Sequence, residues 1–176
     1  MIRTSKIETP LGDMAAAATK EGICLLEFTD RPALESEFNK LALTFNETVK
    51  PGTNKHLRAL KKQLKEYFRG KRRDFMLDLI TPGTDFQREV WESLKKIPYG
   101  ETISYLEQAR IMNNPGAFRA VAGANASNRI AIVIPCHRVI GSDGDLVGYG
   151  GGLERKKWLI DHERKFSGKP VDGILF

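Results

Sequence analysis

The spacing of hydrophobic and polar positions changes period several times along the chain, and each change marks an element. Asp13 to Thr19 is short and rich in small residues, Lys20-Glu21-Gly22 reads as a turn, and Ile23 to Thr29 is apolar again. Residues 4–29 are thus predicted to form a hairpin or meander. From Pro32 to about Leu43, Leu34, Phe38 and Leu41 share one helical face. Pro51-Gly52 breaks the chain, and Asn54 is placed to cap a helix carrying Leu57, Leu60, Leu64 and Phe68 on one side. Phe75, Leu77 and Leu79 alternate as in a strand that Pro82-Gly83 closes. Together these predict an α/β unit over residues 1–80, with a boundary at 80–84.

The second half has a different rhythm. Thr84 or Asp85 caps a helix with Phe86, Val90, Trp91, Leu94 and Ile97 inward, and Pro98-Tyr99-Gly100 ends it. Thr102 to Arg110 predicts another helix, Asn113-Asn114-Pro115-Gly116 a turn, and Ala117 to Ala126 a third helix. Two short helices joined by a tight turn fit a helix-turn-helix, a pattern that also occurs in many proteins that touch no DNA. The β-branched run Ile130 to Ile134 predicts a buried strand that Pro135 terminates. Gly141 to Gly152 is a loop with six glycines, and Glu154 to Arg164 predicts a last amphipathic helix carrying Trp158, Leu159 and His162. Residues 84–166 thus form a second, mainly α domain, and 167–176 a tail.

Composition narrows the function classes. No apolar run approaches the roughly 18 residues of a membrane span, and the start, Met1-Ile2-Arg3-Thr4-Ser5-Lys6, does not read as a signal peptide. The cysteines are two, Cys24 and Cys136, so no disulfide framework is expected and a reducing cytoplasm suits the chain. Without a CxxC or a His/Cys cluster, no metal is expected. An excess of 28 basic over 22 acidic residues favours polyanionic partners, and its placement is uneven. Residues 55–73 hold nine cations and one acid, a local charge of +8 in a chain of +6.

Cys136 carries the chemistry. It follows Pro135 at the end of the apolar run, which places the thiol at the rim of a core, and His137 and Arg138 come next. A thiol beside a base and a cation is expected to have a lowered pKa and a larger thiolate fraction. The alternative is a buried structural cysteine, the commoner fate of a lone thiol; Cys24, in Ile23-Cys24-Leu25-Leu26, reads that way. The glycines at 148–152 do not form a phosphate-binding or dinucleotide pattern, and no glycine-rich strand-to-helix loop for S-adenosylmethionine is present.

The set Pro135-Cys136-His137-Arg138, Tyr99-Gly100-Glu101-Thr102-Ile103-Ser104-Tyr105, Arg119-Ala120-Val121 with Gly123, Asn128, Gly148-Tyr149, and Glu163 after Trp158-Leu159 resembles the O6-alkylguanine-DNA alkyltransferases. The likeness is strong over 84–166. The N-terminal half is similar to that family's ribonuclease-H-like domain in layout only, and it lacks the Cys/His set with which some relatives bind zinc. The resemblance implies single-turnover transfer of an alkyl group from O6-alkylguanine, and from O4-alkylthymine, in double-stranded DNA to Cys136 by a monomer without cofactors.

It also implies roles. Glu163 orients His137, which takes the thiol proton through a water. Tyr105 faces guanine N3 as proton donor, and Asn128 braces the active-site turn. Arg119 fills the gap left by a flipped base, with Ala120, Gly123, Ser104 and Tyr105 along the DNA. Pro135, Val139, Tyr149, Gly150 and Gly151 wall the base pocket. Small side chains let the Arg119 helix enter a minor groove, and flipping is required because a stacked base cannot reach a thiol. Two other classes remain at this point: a lesion-binding module without catalysis, which would lack the cysteine, and a cysteine hydrolase, which would turn over.

Overall fold

The computed structural model describes residues 1–169. The chain divides into two units, Met1–Pro82 and Gly83–Phe176.

The first unit opens with a meander, β1 (Ile2–Ile7), β2 (Met14–Ala18) and β3 (Ile23–Phe28). A fourth strand, β4 (Val49–Pro51), joins β1 in parallel, giving the order β3-β2-β1-β4. Helices α1 (Leu34–Phe45) and α2 (Lys55–Phe68) complete the unit. Ile2, Ala17, Cys24, Leu25 and Leu41 form one core cluster, and Cys24 is the small core residue its surroundings suggested, with Sγ donating to Ala17 O. Asn54 caps α2 by accepting the Leu57 amide at 3.0 Å. Its apolar side buries Leu57, Leu60, Leu64 and Tyr67. The strand expected over Phe75–Leu79 shrinks to a single bridge from Leu79 to Ile23. The segment is extended and alternates, but it meets β3 over too short a stretch to make a ladder.

The second unit contains α3 (Asp85–Lys95), β5 (Ile103–Ser104), α4 (Tyr105–Ile111), a 3-10 turn at Pro115–Ala117, α5 (Phe118–Ala126), a 3-10 turn at Cys136–Arg138, β6 (Val139–Ile140) and α6 (Leu153–Ser167). It is mainly helical, with α4 and α5 as the helix-turn-helix. Thr84 starts α3 with a capping box to Gln87, and Ser104 starts α4 with another to Glu107. The second box corrects the helix expected from Thr102. Residues 103–104 are extended instead, because they pair in parallel with Val139 and Ile140. Three helices are tied by a buried polar network that sequence reasoning missed. Gln108 and Asn125 exchange amide hydrogen bonds at 3.1 and 2.7 Å, Gln108 also donates to Ser93, and Trp91 Nε1 donates to Ala124 O. The last seven residues of the expected tail, 170–176, lie outside the described residues.

Candidate active site

The run from Ile130 to Ile134 is not a strand but a buried turn. Ile132 adopts φ 71°, a left-handed conformation that costs a β-branched residue on the order of 1–2 kcal/mol. Ile130, Ile132 and Ile134 are all buried, so their apolar side chains hold the turn in place. Asn128 replaces the missing strand partner. Its Oδ1 accepts the Ile130 amide at 2.9 Å and its Nδ2 donates to Ile134 O at 2.9 Å, bracketing both ends of the run. The same Nδ2 lies 3.3 Å from Cys136 Sγ. Next, the Cys136 amide reaches Ile134 O across Pro135, and the Val139 amide closes the 3-10 turn on Cys136 O. Cys136 thus sits partly exposed on a turn whose backbone is satisfied from inside.

Behind it, His137 is fully buried and Nε2 lies 2.7 Å from Glu163 Oε1. Glu163 also accepts Arg138 Nε at 2.8 Å, Arg138 Nη2 at 3.0 Å and the Gly100 amide at 3.2 Å. Arg138 Nη1 continues to Ile97 O at 2.7 Å. Burial alone would raise the Glu163 pKa, but His137 and Arg138 overcome it and hold the carboxyl well below the ordinary carboxylate range. Burial lowers the His137 pKa against the opposing pull of Glu163, so the imidazole is neutral near pH 7. An ionised carboxylate only accepts, so Nε2 carries the ring hydrogen and the lone pair falls on Nδ1. That Nδ1 is buried with no hydrogen-bond partner among the described residues. Gly100 joins this network through its amide. It has φ 80°, and a Cβ there would run into the Ser167 side chain.

Arg138 therefore does not act as the sequence suggested. Its guanidinium is bound to Glu163. The cation whose charge couples to the sulfur is Lys156, which sequence reasoning missed. Lys156 is 0 % exposed, donates to Val147 O at 2.8 Å and Gly148 O at 3.2 Å, and lies over the Tyr105 ring at 5.9 Å. Burial lowers its pKa to about 8, while the Cys136 charge pulls upward. By reciprocity the ammonium favours the anionic sulfur. A signal was present: 156, 159, 160 and 163 share the inward face of α6, so a lysine at 156 has to be buried.

Tyr105, the first residue of α4, is brought to the cysteine turn by the β5–β6 pairing. Its hydroxyl donates to Val147 O at 3.1 Å, and burial, then the Cys136 charge, raise its pKa. Gly148 has φ 58°, and a Cβ there would lie 3.7 Å from the Tyr105 hydroxyl. Pro135 and Val139 are buried, Tyr149 is half-buried, and Gly150 is exposed beside Gly151, whose carbonyl takes Arg155 Nη1 at 3.2 Å. Arg119, Ala120 and Gly123 form the exposed face of α5, and nothing lies within 4 Å of a Cβ placed at Gly123. Ser104 spends its hydroxyl on the Glu107 amide. Among the described residues no three or more His, Cys, Asp or Glu gather into a metal-binding group, and no helix is long and apolar enough to cross a membrane.

A neutral imidazole oriented by a buried carboxylate, next to a partly exposed cysteine in a helix-turn-helix domain, defines a thiol-based group-transfer protein built to meet nucleic acid. The chain belongs to the 6-O-methylguanine DNA methyltransferase family: residues 85–165 match its DNA binding domain and residues 2–80 its ribonuclease-like domain. A methylated-DNA–protein-cysteine methyltransferase from Mycolicibacterium paratuberculosis is 41% identical over 176 residues, covering 100% of this chain and 99% of the relative. The crystal structure of the Mycobacterium tuberculosis O6-methylguanine methyltransferase is 40% identical with a TM-score of 0.80, covering 100% and 99% of the two chains. A Mycobacterium tuberculosis OGT in complex with DNA is 38% identical with a TM-score of 0.79, covering 99% of each.

Proposed function

We propose that this protein repairs alkylated DNA by moving an alkyl group from guanine O6 in duplex DNA onto Cys136 Sγ, once per molecule. The S–C bond forms as the C–O bond breaks, and the guanine leaves as an anion that takes up a proton. His137 Nδ1 accepts the thiol proton through a water, and Glu163 holds the tautomer that makes this possible. Tyr105 keeps its proton because burial and the sulfur's charge both disfavour the phenolate. On base entry it exchanges Val147 O for guanine N3 and supplies that proton. Asn128 steadies the sulfur. Pro135, Val139, Tyr149, Gly150 and Gly151 wall the base, and the same pocket accepts O4-alkylthymine.

Arg119 occupies the duplex gap when the base is flipped, with Ala120, Gly123 and Ser104 along the groove. Both cysteines are thiols outside any disulfide. A protein whose working group is a thiol suits a reducing compartment, so we place it in the cytoplasm, acting as a monomer.

The observation that carries this reading is the His137–Glu163–Arg138 network, which leaves one free ring nitrogen behind a partly exposed cysteine. A cysteine hydrolase would use the same groups but has no need of the exposed Arg119 face. A lesion-binding module has no need of the network.

Intact-mass measurement after incubation with duplex carrying O6-methylguanine tests the reading. Wild type should gain one methylene and Cys136→Ser nothing, with duplex binding retained. An adduct on the Ser variant would remove Cys136 as the acceptor.

A further inference from the structure

The strongest charge of the molecule lies in the unit that does not contain the reactive cysteine. Residues 84–165 hold twelve cations against ten acids, while 55–73 hold nine against one. The rest of residues 1–82 is acidic, six cations against ten acids, so the first unit is strongly polarised.

The structure arranges that charge. Lys55, Arg58, Lys62, Lys65 and Arg69 recur at spacings of three and four along α2 and its C-cap, all exposed, with Lys61 beside them. Opposite them, Leu57, Leu60, Leu64 and Tyr67 are buried. None of the six cations has a side-chain ion-pair or hydrogen-bond partner among the described residues. Glu66, the acid of this stretch, is taken by Arg72 at 3.0 Å. Arg58–Lys62, Lys61–Lys65 and Lys65–Arg69 are like-charge pairs four apart, each of which weakens an isolated helix by a few tenths of a kcal/mol. A helix that needed only solubility would mix signs, as α1 does with Glu35, Glu37 and Lys40, the last two ion-paired at 3.0 Å. Alongside α2 runs a groove of about 540 Å³ with Lys61, Lys65 and Arg69 on its rim together with Glu8, so the cations border a concave surface.

We propose that this face of α2 is a second DNA-contacting surface, which binds the phosphate backbone of duplex DNA without reading sequence. Fourteen helical residues extend about 21 Å, alongside about six phosphates of one strand at roughly 3.4 Å each. Exposed, flexible ammonium and guanidinium groups free of carboxylates are suited to displacing condensed counterions. The proposal rests on the reading that this protein works on duplex DNA. It assigns most of the salt-dependent affinity to the ribonuclease-like unit and leaves flipping and chemistry to the other.

The test is the salt dependence of binding to a long unmodified duplex, wild type against Lys62→Gln/Lys65→Gln/Arg69→Gln. Each lost phosphate contact should flatten the plot of log affinity against log salt by about 0.9, and affinity near physiological salt should fall tenfold or more, on the order set by counterion release. The melting temperature should hold or rise as the like-charge pairs are relieved, and the rate with the free base O6-benzylguanine should be unchanged. Equal duplex affinity and slope for the two proteins would overturn the inference. So would a loss confined to phosphatidylserine vesicles, which would make the surface a membrane contact. If wild type itself failed to bind duplex, the functional reading would fall first.

Discussion

Two walls flank the reactive sulfur, and they are built on opposite principles. The turn from Asn128 to Ile140 is buried and braced from within: Asn128 holds both ends of its apolar run, and Glu163 gathers four donors from His137, Arg138 and Gly100. The loop from Gly141 to Gly152 is largely exposed, and its central carbonyls are held by two side chains, Tyr105 and Lys156. Under the proposed function, the contrast separates two demands of the reaction. A nucleophile and its base need fixed geometry, whereas a pocket for a flipped base has to open. Tyr105 belongs to the second wall in the free protein and would cross to the substrate when a base arrives.

The largest expected effect comes from breaking the rigid wall. Glu163→Gln should destabilise the protein by about 3–5 kcal/mol, because Arg138 is left buried without its counter-charge, and it should slow transfer by loosening the His137 tautomer. Thermal melting and the free-base rate read the two losses. The Glu163 carboxyl is depressed in the folded state, so its stabilisation is complete above the unfolded value and is lost as pH falls toward the folded one. Wild-type stability should therefore fall on acidification below about pH 4.5 more steeply than that of the Gln variant. Parallel curves would mean that the carboxylate is not the group holding the turn.

Arg119→Ala should come next and spare both walls. Repair of duplex substrate should drop on the order of tenfold or more while reaction with free O6-benzylguanine is unchanged, since only the duplex has to be opened. Equal losses on both substrates would make Arg119 structural.

A smaller effect is expected from the reaction itself. A carbon added to Sγ, 3.3 Å from Asn128 Nδ2, crowds the amide that brackets the turn. Methylated protein should be less stable by about 1–3 kcal/mol, the usual cost of overpacking, with hydrogen exchange rising first over residues 117–140. Unchanged protection and melting temperature would show that the rigid wall has room to spare.

The smallest effect should come from the soft wall. Lys156 has a pKa near 8 in the folded protein, lowered from 10.5. Between those values the unfolded chain binds more protons, so wild-type stability should rise with pH across that window relative to Lys156→Met. The variant should also lose free-base rate near neutral pH, where the ammonium's charge favours the anionic sulfur. Identical pH profiles would remove Lys156 from the site.

Much of this was legible in the chain because local signals agreed with the fold. The Asn54 and Thr84 caps, the inward faces of α2 and α3, and Cys136-His137 with Glu163 follow from spacing and the family pattern. What was not legible depended on contacts between distant residues. Ile130 to Ile134 looks like a strand because a short apolar run has no period of its own; the Ile134 amide closing on Ile130 O, with Asn128 bracketing both ends, makes it a turn. Thr102 looked helical because nothing nearby announces that 103–104 will pair with 139–140. The part expected of Arg138 fell to Lys156, which sequence reasoning had not considered, for the same reason. Adjacency in sequence put a cation next to the thiol, while folding gave that cation to Glu163 and brought another from α6.

The central claim is that Cys136 is consumed in the reaction. Protein should be incubated with excess duplex bearing O6-methylguanine, and both alkylated peptide and repaired guanine counted over time. The account predicts one repaired guanine per protein molecule, one methyl group on the peptide containing Cys136, and none on the peptide containing Cys24, which is a thiol buried in the other unit. Repaired guanine continuing to accumulate after all protein has reacted, or methyl found at Cys24 and not at Cys136, would contradict it.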